Sequence, residues 1–349
     1  MQDLHNQINF NQDLKSKQHW PGVLFLILIG VGLIYGFLWL GIKANTIEVN
    51  NGENQSFWNK FANIITFGKS SETVDEQDSN YIMPEKEENR LDILILGVRG
   101  ENDPNAETGG ADLTDTIMIF SYDKVSGKSS IVSVPRDLYV KIYNKKEKIN
   151  SAYAEALVRK QNGINYVKNL ISKITGIYID NAIVIDFSSF EKIIDELGGV
   201  DITLDKPFYE KSQWGYEFSL PAGPNHLNGQ DALYYARSRF STNDFDRARR
   251  QQQIIFAMKN KLSKINFFSD PAKTFSIFNT IKNNIKTDIG LLDIKNLIGL
   301  IQQINSKTVR YIISTENLLY ETTVNESYVL LPKEDNFNAI KQFFKDILN

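Results

Sequence analysis

Cysteine is absent from the 349 residues. That absence excludes disulfides, a thiolate nucleophile and Cys-ligated zinc together. Histidine is nearly absent too, occurring only at His5, His19 and His226. A histidine-based triad or a multi-histidine metal centre therefore has no residues to build it. Nor is there an excess of positive charge: the formal net charge is -3. Bulk nucleic-acid binding wants a broadly basic face, so no nucleic-acid partner is expected. Arginine is scarce, with ten in a chain whose positive charge otherwise comes from lysine.

Five of those ten arginines fall in one run, YYARSRFSTNDFDRARRQQQ, at Arg237, Arg239, Arg247, Arg249 and Arg250. The guanidinium is a planar, always-charged fork that grips phosphate or carboxylate oxygens two at a time, which lysine cannot do. A basic cluster inside a slightly acidic chain reads as a local site for an anion with several phosphate oxygens.

The length allows one large domain or two ordinary ones with appendages. Val23 to Ile42 is a run of twenty uncharged residues, VLFLILIGVGLIYGFLWLGI. That is enough for a helix to span a bilayer, and Trp20, Tyr35 and Trp39 include rings near its ends. It is too long for an ordinary signal-peptide core, and no small-x-small cleavage site follows, so a retained anchor is expected at 21–43. Residues 44–90 form a polar stalk with one apolar patch, FWNKFANIITF, ahead of an acidic stretch. Gly68 to Ser70 spells GKS, but Asn63 stands where a P-loop needs its first glycine.

From Leu91 the chain alternates apolar runs with helical patterns. LDILILG, DTIMIFSYD, SSIVSVP, NAIVIDF, VDITL and Val309 to Ser314 read as strands. Ser151 to Arg159, Asn165 to Ile174, a helix opened by Ser188 with Glu191 as its capping-box partner, a short helix from Asn228, and Asp246 to Ile265 read as helices. The pattern predicts an α/β fold, an α-β-α sandwich around a central mixed sheet.

Three segments carry candidate chemistry. GGADLTDTIM holds Asp112 and Asp115; VSVPRDLYV holds Arg136 and Asp137; the third is the arginine run. Arg247 and Gln251 are four apart on one helix face, in first turns where free N–H groups already favour an anion. Arg237 and Arg239 are two apart in what reads as extended chain, so they can face one side. Blander roles stand beside these. Asp at a strand start is often a turn residue, Arg136 can pair with Asp137, and Arg249 or Arg250 must leave the face of Arg247. Lys148 reads as a surface lysine and His226 as a loop residue.

These segments closely resemble the LytR-CpsA-Psr family of bacterial membrane-anchored glycopolymer transferases. The resemblance rests on LILGV, DTIM, SVPRDLYV, KINSAYAEA, VIDFSSFEKIIDELGGVDI, AGPNHLNGQDALYYARSR and DFDRARRQQQ, in the family's order. It covers roughly Leu91 to Leu262 and is thinner to residue 349. It implies a catalytic domain at 91–349, outside the membrane, with residues 1–20 as a cytoplasmic tail. The lysines flanking the apolar run left that orientation open. It implies transfer of a glycopolymer from an undecaprenyl-pyrophosphate carrier to peptidoglycan through a phosphodiester. Prenyl-pyrophosphate hydrolysis and non-catalytic binding of a lipid-linked glycan are the alternatives.

The resemblance also assigns roles. Arg136, Arg237, Arg239 and Arg247 would clamp the pyrophosphate, with Gln251 donating a hydrogen bond and Lys148 guiding substrate. Asp115 would hold Mg²⁺ (Mn²⁺ as a substitute), a hard cation suited to a carboxylate plus substrate phosphates. Asp112, Asp244 and Asp246 are candidates for accepting a proton or orienting the arginines. A prenyl groove is implied between sheet and helices, near Ile183, Ile185, Phe187, Phe190 and Ile194. One position departs from the pattern. Arg99 stands where many members carry a metal-binding Asp, so Asp112, ahead of Asp103, is expected to supply that carboxylate.

Overall fold

A computed structural model describes residues 82–349 except 102, 104–105, 107–109, 212, 265–270 and 291–306. The Val23 to Ile42 run and the stalk patch lie outside the described residues. Among the described residues no helix is long and apolar enough to cross a membrane.

The body opens with strand β1 (Arg90–Val98), followed by β2 (Thr114–Asp123) and β3 (Ser129–Ser133). A small hairpin, β4 (Tyr139–Ile142) with β5 (Lys145–Lys148), leads to helices α1 (Ala152–Val158) and α2 (Gly163–Thr175). Strand β6 (Asn181–Ile185) and helix α3 (Phe187–Glu196) come next, then β7 (Val200–Leu204), β8 (Phe208–Glu210), β9 (Phe218–Leu220) and β10 (Gly223–Leu227). Helices α4 (Gly229–Arg237), α5 (Asp244–Lys264) and α6 (Pro271–Asn284) precede the short β11 (Lys286–Thr287). Strand β12 (Val309–Ile312), the hairpin of β13 (Leu319–Val324) and β14 (Ser327–Pro332), and helix α7 (Asn338–Asp346) close the chain.

The central sheet runs β11-β6-β1-β2-β3-β12. β1 pairs parallel with β6, and β12 parallel with β3, while β2 is antiparallel to both β1 and β3. The sheet is therefore mixed, as the sequence pattern predicts. Alternation of side chains divides it between two cores. Leu94, Leu96, Val98, Ile117, Ile119, Val132, Ala182 and Val184 face α1, α2 and α7. Ile93 and Ile183 pack on the other face with Ile95, Ile185, Ile285 and Ile289. Beyond them α3, α5 and α6 meet around Ile193, Leu262, Ile277 and Ile281.

The topology brings four strand ends to one edge. The chain leaves β1, β3, β6 and β12 there, and antiparallel β2 enters there. Open α/β sheets characteristically bind ligands beyond the carboxyl ends of their strands.

Three local expectations change. Helix α3 is capped by Asp186, whose side chain accepts from Ser189 N at 2.7 Å, so Ser188 lies inside the helix and makes no capping box with Glu191. Asn243 caps α5 by accepting from Asp246 N at 2.8 Å, so the helix begins at Asp244 and not at Asp246. Arg237 is the last residue of α4, not part of an extended stretch with Arg239. Asn228 caps α4 as its sequence suggests.

The start of α4 presses on α3. A Cβ on Gly229 would stand 2.4 Å from Glu191 O and 2.8 Å from Glu191 Cα. Gly229 N also donates to Asp195 Oδ1 at 2.7 Å, so neither helix is free to retreat. We expect Gly229→Ala to lower stability by about 1–3 kcal/mol through overpacking, read as a lower urea midpoint at unchanged slope.

Candidate phosphate site at the sheet edge

Arg136 follows β3 and reaches in two directions. Its NH1 donates to Asp115 Oδ1 at 2.7 Å and its Nε to Asp244 Oδ2 at 2.9 Å. Arg247, one turn into α5, donates through NH2 to Asp244 Oδ2 and to the Asp115 carbonyl, both at 3.2 Å. β2, the β3 exit and the N-terminus of α5 are thereby joined through two carboxylates and two guanidinia. Between them lies a small cavity of about 20 Å³. Asp115, Arg136, Asp244, Arg247 and Gln251 line it, with Phe245 and Ile312 at one wall. That is room for about one water, so a substrate would meet the site from its open side.

Charge in this site is not balanced. Burial works against the charge of Arg136, but Asp115, Asp244 and Asp137 outweigh it and raise its pKa. Burial works against the charge of Arg247 as well; Arg136 and Arg239 add to the cost, Asp244 and Asp115 relieve only part, and its pKa is lowered. Arginine stays protonated in proteins, so a lowered pKa here means unmet demand for negative charge. A second observation agrees. Arg247 is 7% exposed, and its Nε is buried with no hydrogen-bond partner. Arg239 is exposed, and its guanidinium makes no ion pair or hydrogen bond among the described residues.

Arg237 approaches from the β6 side. Its guanidinium lies 3.8 Å from the centroid of the Phe187 ring and 5.1 Å from that of Trp214, and pairs with Asp103 at 3.6 Å. Arg99 pairs with the same Asp103 at 3.9 Å. Arg99 helps to lower the pKa of Asp115, so in place of a metal-binding carboxylate the chain puts another cation. The expected prenyl-groove residues divide. Phe187 lies under Arg237, and Ile194 is fully buried core.

Other assignments sort by their contacts. Lys148 bonds Asp137 Oδ1 at 2.7 Å, so its ammonium is committed within the protein. Asp246 pairs with Arg249 away from this network, and His226 pairs with Asp201 at 2.7 Å on the surface. Gln251 lines the cavity, its amide donating weakly to Ala236 O at 3.4 Å. Asp112 makes no ion pair among the described residues and acts electrostatically on Tyr153. Of the two carboxylates weighed against Arg99, it is Asp103 that joins the arginines.

Sequence reasoning missed what holds Arg239 in place. Arg250 is 6% exposed and lies beneath the Ser238 to Thr242 loop. It donates to Tyr235 O at 2.9 Å, to Ser238 O, and to Thr242 Oγ1 at 3.1 Å. Glu210, fully buried, accepts from Phe240 N at 3.1 Å, Ser241 N at 3.2 Å and Ser241 Oγ at 3.0 Å. Gln213 Oε1 accepts from Arg239 N at 2.7 Å. The only sequence signal was the phase of Arg250, three residues beyond Arg247 on α5.

Two tests follow from these contacts. Arg250→Ala strips charged donors from two backbone carbonyls and should cost on the order of 3 kcal/mol, whereas Arg249→Ala should leave the urea midpoint nearly unchanged. For Asp115, burial opposes ionisation, but Arg136, Arg247 and Arg99 outweigh it and hold the carboxyl below its ordinary value. A depressed folded pKa gives stability that is full above the unfolded value, about 4, and lost as pH falls through the folded pKa. The stability gap between wild type and Asp115→Asn should therefore be constant from neutral pH to about 4 and close below it, as followed by urea midpoints across pH.

The sequence profile of the LytR_cpsA_psr family matches residues 58–346. Regulatory protein MsrR of Staphylococcus aureus is 31% identical over 268 residues, 75% of this chain and 77% of that protein. TagV of Bacillus subtilis, a polyisoprenyl-teichoic acid–peptidoglycan teichoic acid transferase, is 28% identical over 74% of this chain and 64% of its own length. The crystal structure of B. subtilis TagV superposes with a TM-score of 0.59 at 26% identity, over 75% of this chain and 98% of that one. The match begins at residue 58, ahead of β1, and carries the likeness well past Leu262. The chain belongs to the LytR-CpsA-Psr family.

Proposed function

We propose that this protein is a phosphotransferase that moves a glycopolymer from a prenyl pyrophosphate to peptidoglycan. The single observation that carries the reading is the under-compensated arginine site, with Arg247 Nε buried and the Arg239 guanidinium beside it, neither partnered among the described residues. TagV, by its name, acts on a polyisoprenyl-linked teichoic acid and peptidoglycan, and the same chemical classes are proposed here. Residues 23–42 would anchor the chain in the cell membrane with residues 1–20 in the cytoplasm and the catalytic body outside.

Phosphoryl transfer needs positioning and neutralisation more than covalent help. Arg136, Arg247 and Arg239 grip the pyrophosphate oxygens, Arg237 holds its outer side, and Gln251 adds a hydrogen bond. An acceptor hydroxyl oxygen attacks the phosphorus nearer the sugar. The bond from that phosphorus to the bridging oxygen breaks, and prenyl monophosphate leaves with the bond's electron pair. The hydroxyl proton passes to a carboxylate. Asp244 is the proposed acceptor, since its Oδ2 takes both arginine bonds and its Oδ1 takes none.

Mg²⁺ fits the donor set. Asp115 Oδ1 is bonded to Arg136, its Oδ2 has no hydrogen bond among the described residues, and the arginines keep it ionised. Among the described residues no group of three or more carboxylates or imidazoles would cage a metal alone. That suits a cation that keeps water and shares substrate phosphates. Asp115, with Asp112 as the second carboxylate, would hold it, and its chemistry there is to neutralise phosphate oxygens.

The test is reconstitution. The full chain is incubated with a prenyl-pyrophosphate-linked oligosaccharide, Mg²⁺ and a soluble peptidoglycan fragment, and the products are resolved by mass spectrometry. A glycan–phosphate–peptidoglycan product is expected, reduced about 100- to 1,000-fold in Arg136→Ala. Free glycan phosphate as the sole product would replace transfer with hydrolysis. Tight lipid binding without turnover would overturn both enzyme readings.

A further inference from the structure

The β8–β9 hairpin stands apart from the central sheet as a two-stranded sheet of its own. The residues after β8 reach back to the end of α4, where two of the site's arginines lie. Gln213 Nε2 donates to Arg237 O at 3.1 Å, and Gln213 Oε1 accepts from Arg239 N at 2.7 Å. Trp214 Nε1 donates to Ser238 Oγ at 3.2 Å, on the residue between those two bonds. Trp214 is itself fixed, its ring stacked on that of Tyr234 with centroids 4.5 Å apart.

These bonds select the residue type. A backbone carbonyl only accepts and a backbone N–H only donates, so one side chain must do both at once. A glutamine amide does so; a glutamate would set a carboxylate oxygen against the Arg237 carbonyl. Their place in the chain matters as well. α4 ends at Arg237, and Ser238 turns the backbone into an extended conformation, with φ -56° and ψ 132°. The Arg239 N–H therefore leaves the helix and is taken by Gln213, which ties the helical residue to the extended one across Ser238.

The four arginines thus stand on two scaffolds. Arg136 and Arg247 are braced by Asp115 and Asp244. Arg237 and Arg239 are braced by the hairpin, with the Arg237 guanidinium against the rings of Phe187 and Trp214. Both pairs face a common site, since Asp115 acts on the charge of Arg237, and Arg239 on that of Arg247. One phosphate can be met by one pair. Two linked phosphates can engage both, so the second pair adds affinity for a diphosphate only, provided that its arginines are held at a set spacing.

We propose that Gln213 is a positioning residue that sets Arg237 and Arg239 as a pair, and that this pair makes the site prefer a diphosphate to a monophosphate. The proposal rests on the phosphotransfer reading, in which a prenyl diphosphate must bind and a prenyl monophosphate must leave. Affinities of the full chain in detergent are measured by calorimetry for farnesyl pyrophosphate and farnesyl monophosphate. Wild type is compared with Gln213→Met, which keeps the side-chain length and loses both bonds. The hairpin stays tied to the arginine loop through Glu210 and Trp214. Wild type should bind the pyrophosphate more tightly, and Gln213→Met should weaken it about tenfold while the monophosphate binds as before. Unchanged monophosphate affinity also shows that the variant is folded. In an Arg237→Ala/Arg239→Ala background, Gln213→Met should have no further effect, because it acts through those arginines. An undiminished preference in Gln213→Met overturns the proposal. So does an equal loss for both ligands, or a loss that persists in the double-alanine background. Wild type that binds both ligands equally overturns the proposal alone; wild type that binds neither sinks the phosphotransfer reading and the proposal with it.

Discussion

The double engagement of Arg136 is the contact on which the site depends. One guanidinium joins Asp115 to Asp244, residues 21 and 108 positions away in the chain. Burial alone would make this arginine expensive to charge, and the carboxylates on either side reverse the sign. Arg247 donates to the same Asp244 carboxylate and to the backbone carbonyl of Asp115, so the start of α5 is fixed relative to β2 and β3 by a shared network and not by separate pairs. Groups connected this way are not additive, because removing one leaves its former partners buried and facing each other.

Much of this arrangement was legible because it rests on local patterns. The strands of the central sheet, the alternation that assigns Leu94 and Ile95 to opposite faces, and the Asn228 cap all follow from neighbours in sequence. The convergence of Asp115, Arg136, Arg247 and Gln251 on one cavity was foreshadowed by resemblance and by helical spacing. What stayed hidden depends on contacts between distant segments. Glu210 lies on a three-residue strand with no periodicity to mark it, yet it fixes a loop 30 residues away. Asp186 outcompeted Ser188 as the cap of α3 because the chain turns into the helix directly after β6, and the capping side chain must sit at that turn. Lys148 resembled a substrate residue, but its hairpin places it on Asp137.

Rigidity and unmet charge are divided between the two layers of the site. Arg250 and Glu210 are fully committed inside the protein, and their bonds end on the backbone of the loop that carries Arg239. Among the described residues, the Arg239 guanidinium and the Nε of Arg247 have no hydrogen-bond partner. The backbone beneath Arg239 is fixed in folding, while its exposed side chain keeps rotamer freedom that a bound anion would restrict. Only the backbone share of the ordering cost is met in folding.

The position of Arg99 has its meaning in this division. A carboxylate there would strengthen a metal site but would also cancel part of the positive field on Asp115. The arginine instead shares Asp103 with Arg237 and adds to the field that keeps Asp115 ionised. On the proposed function, an ionised Asp115 would still take a hard cation once substrate phosphates complete its shell, and the extra guanidinium would favour those phosphates. Arg99 would, on the same function, move neutralisation of the pyrophosphate from metal toward protein. A site of that kind would need fewer acidic ligands, because more of the compensating charge is built into the fold.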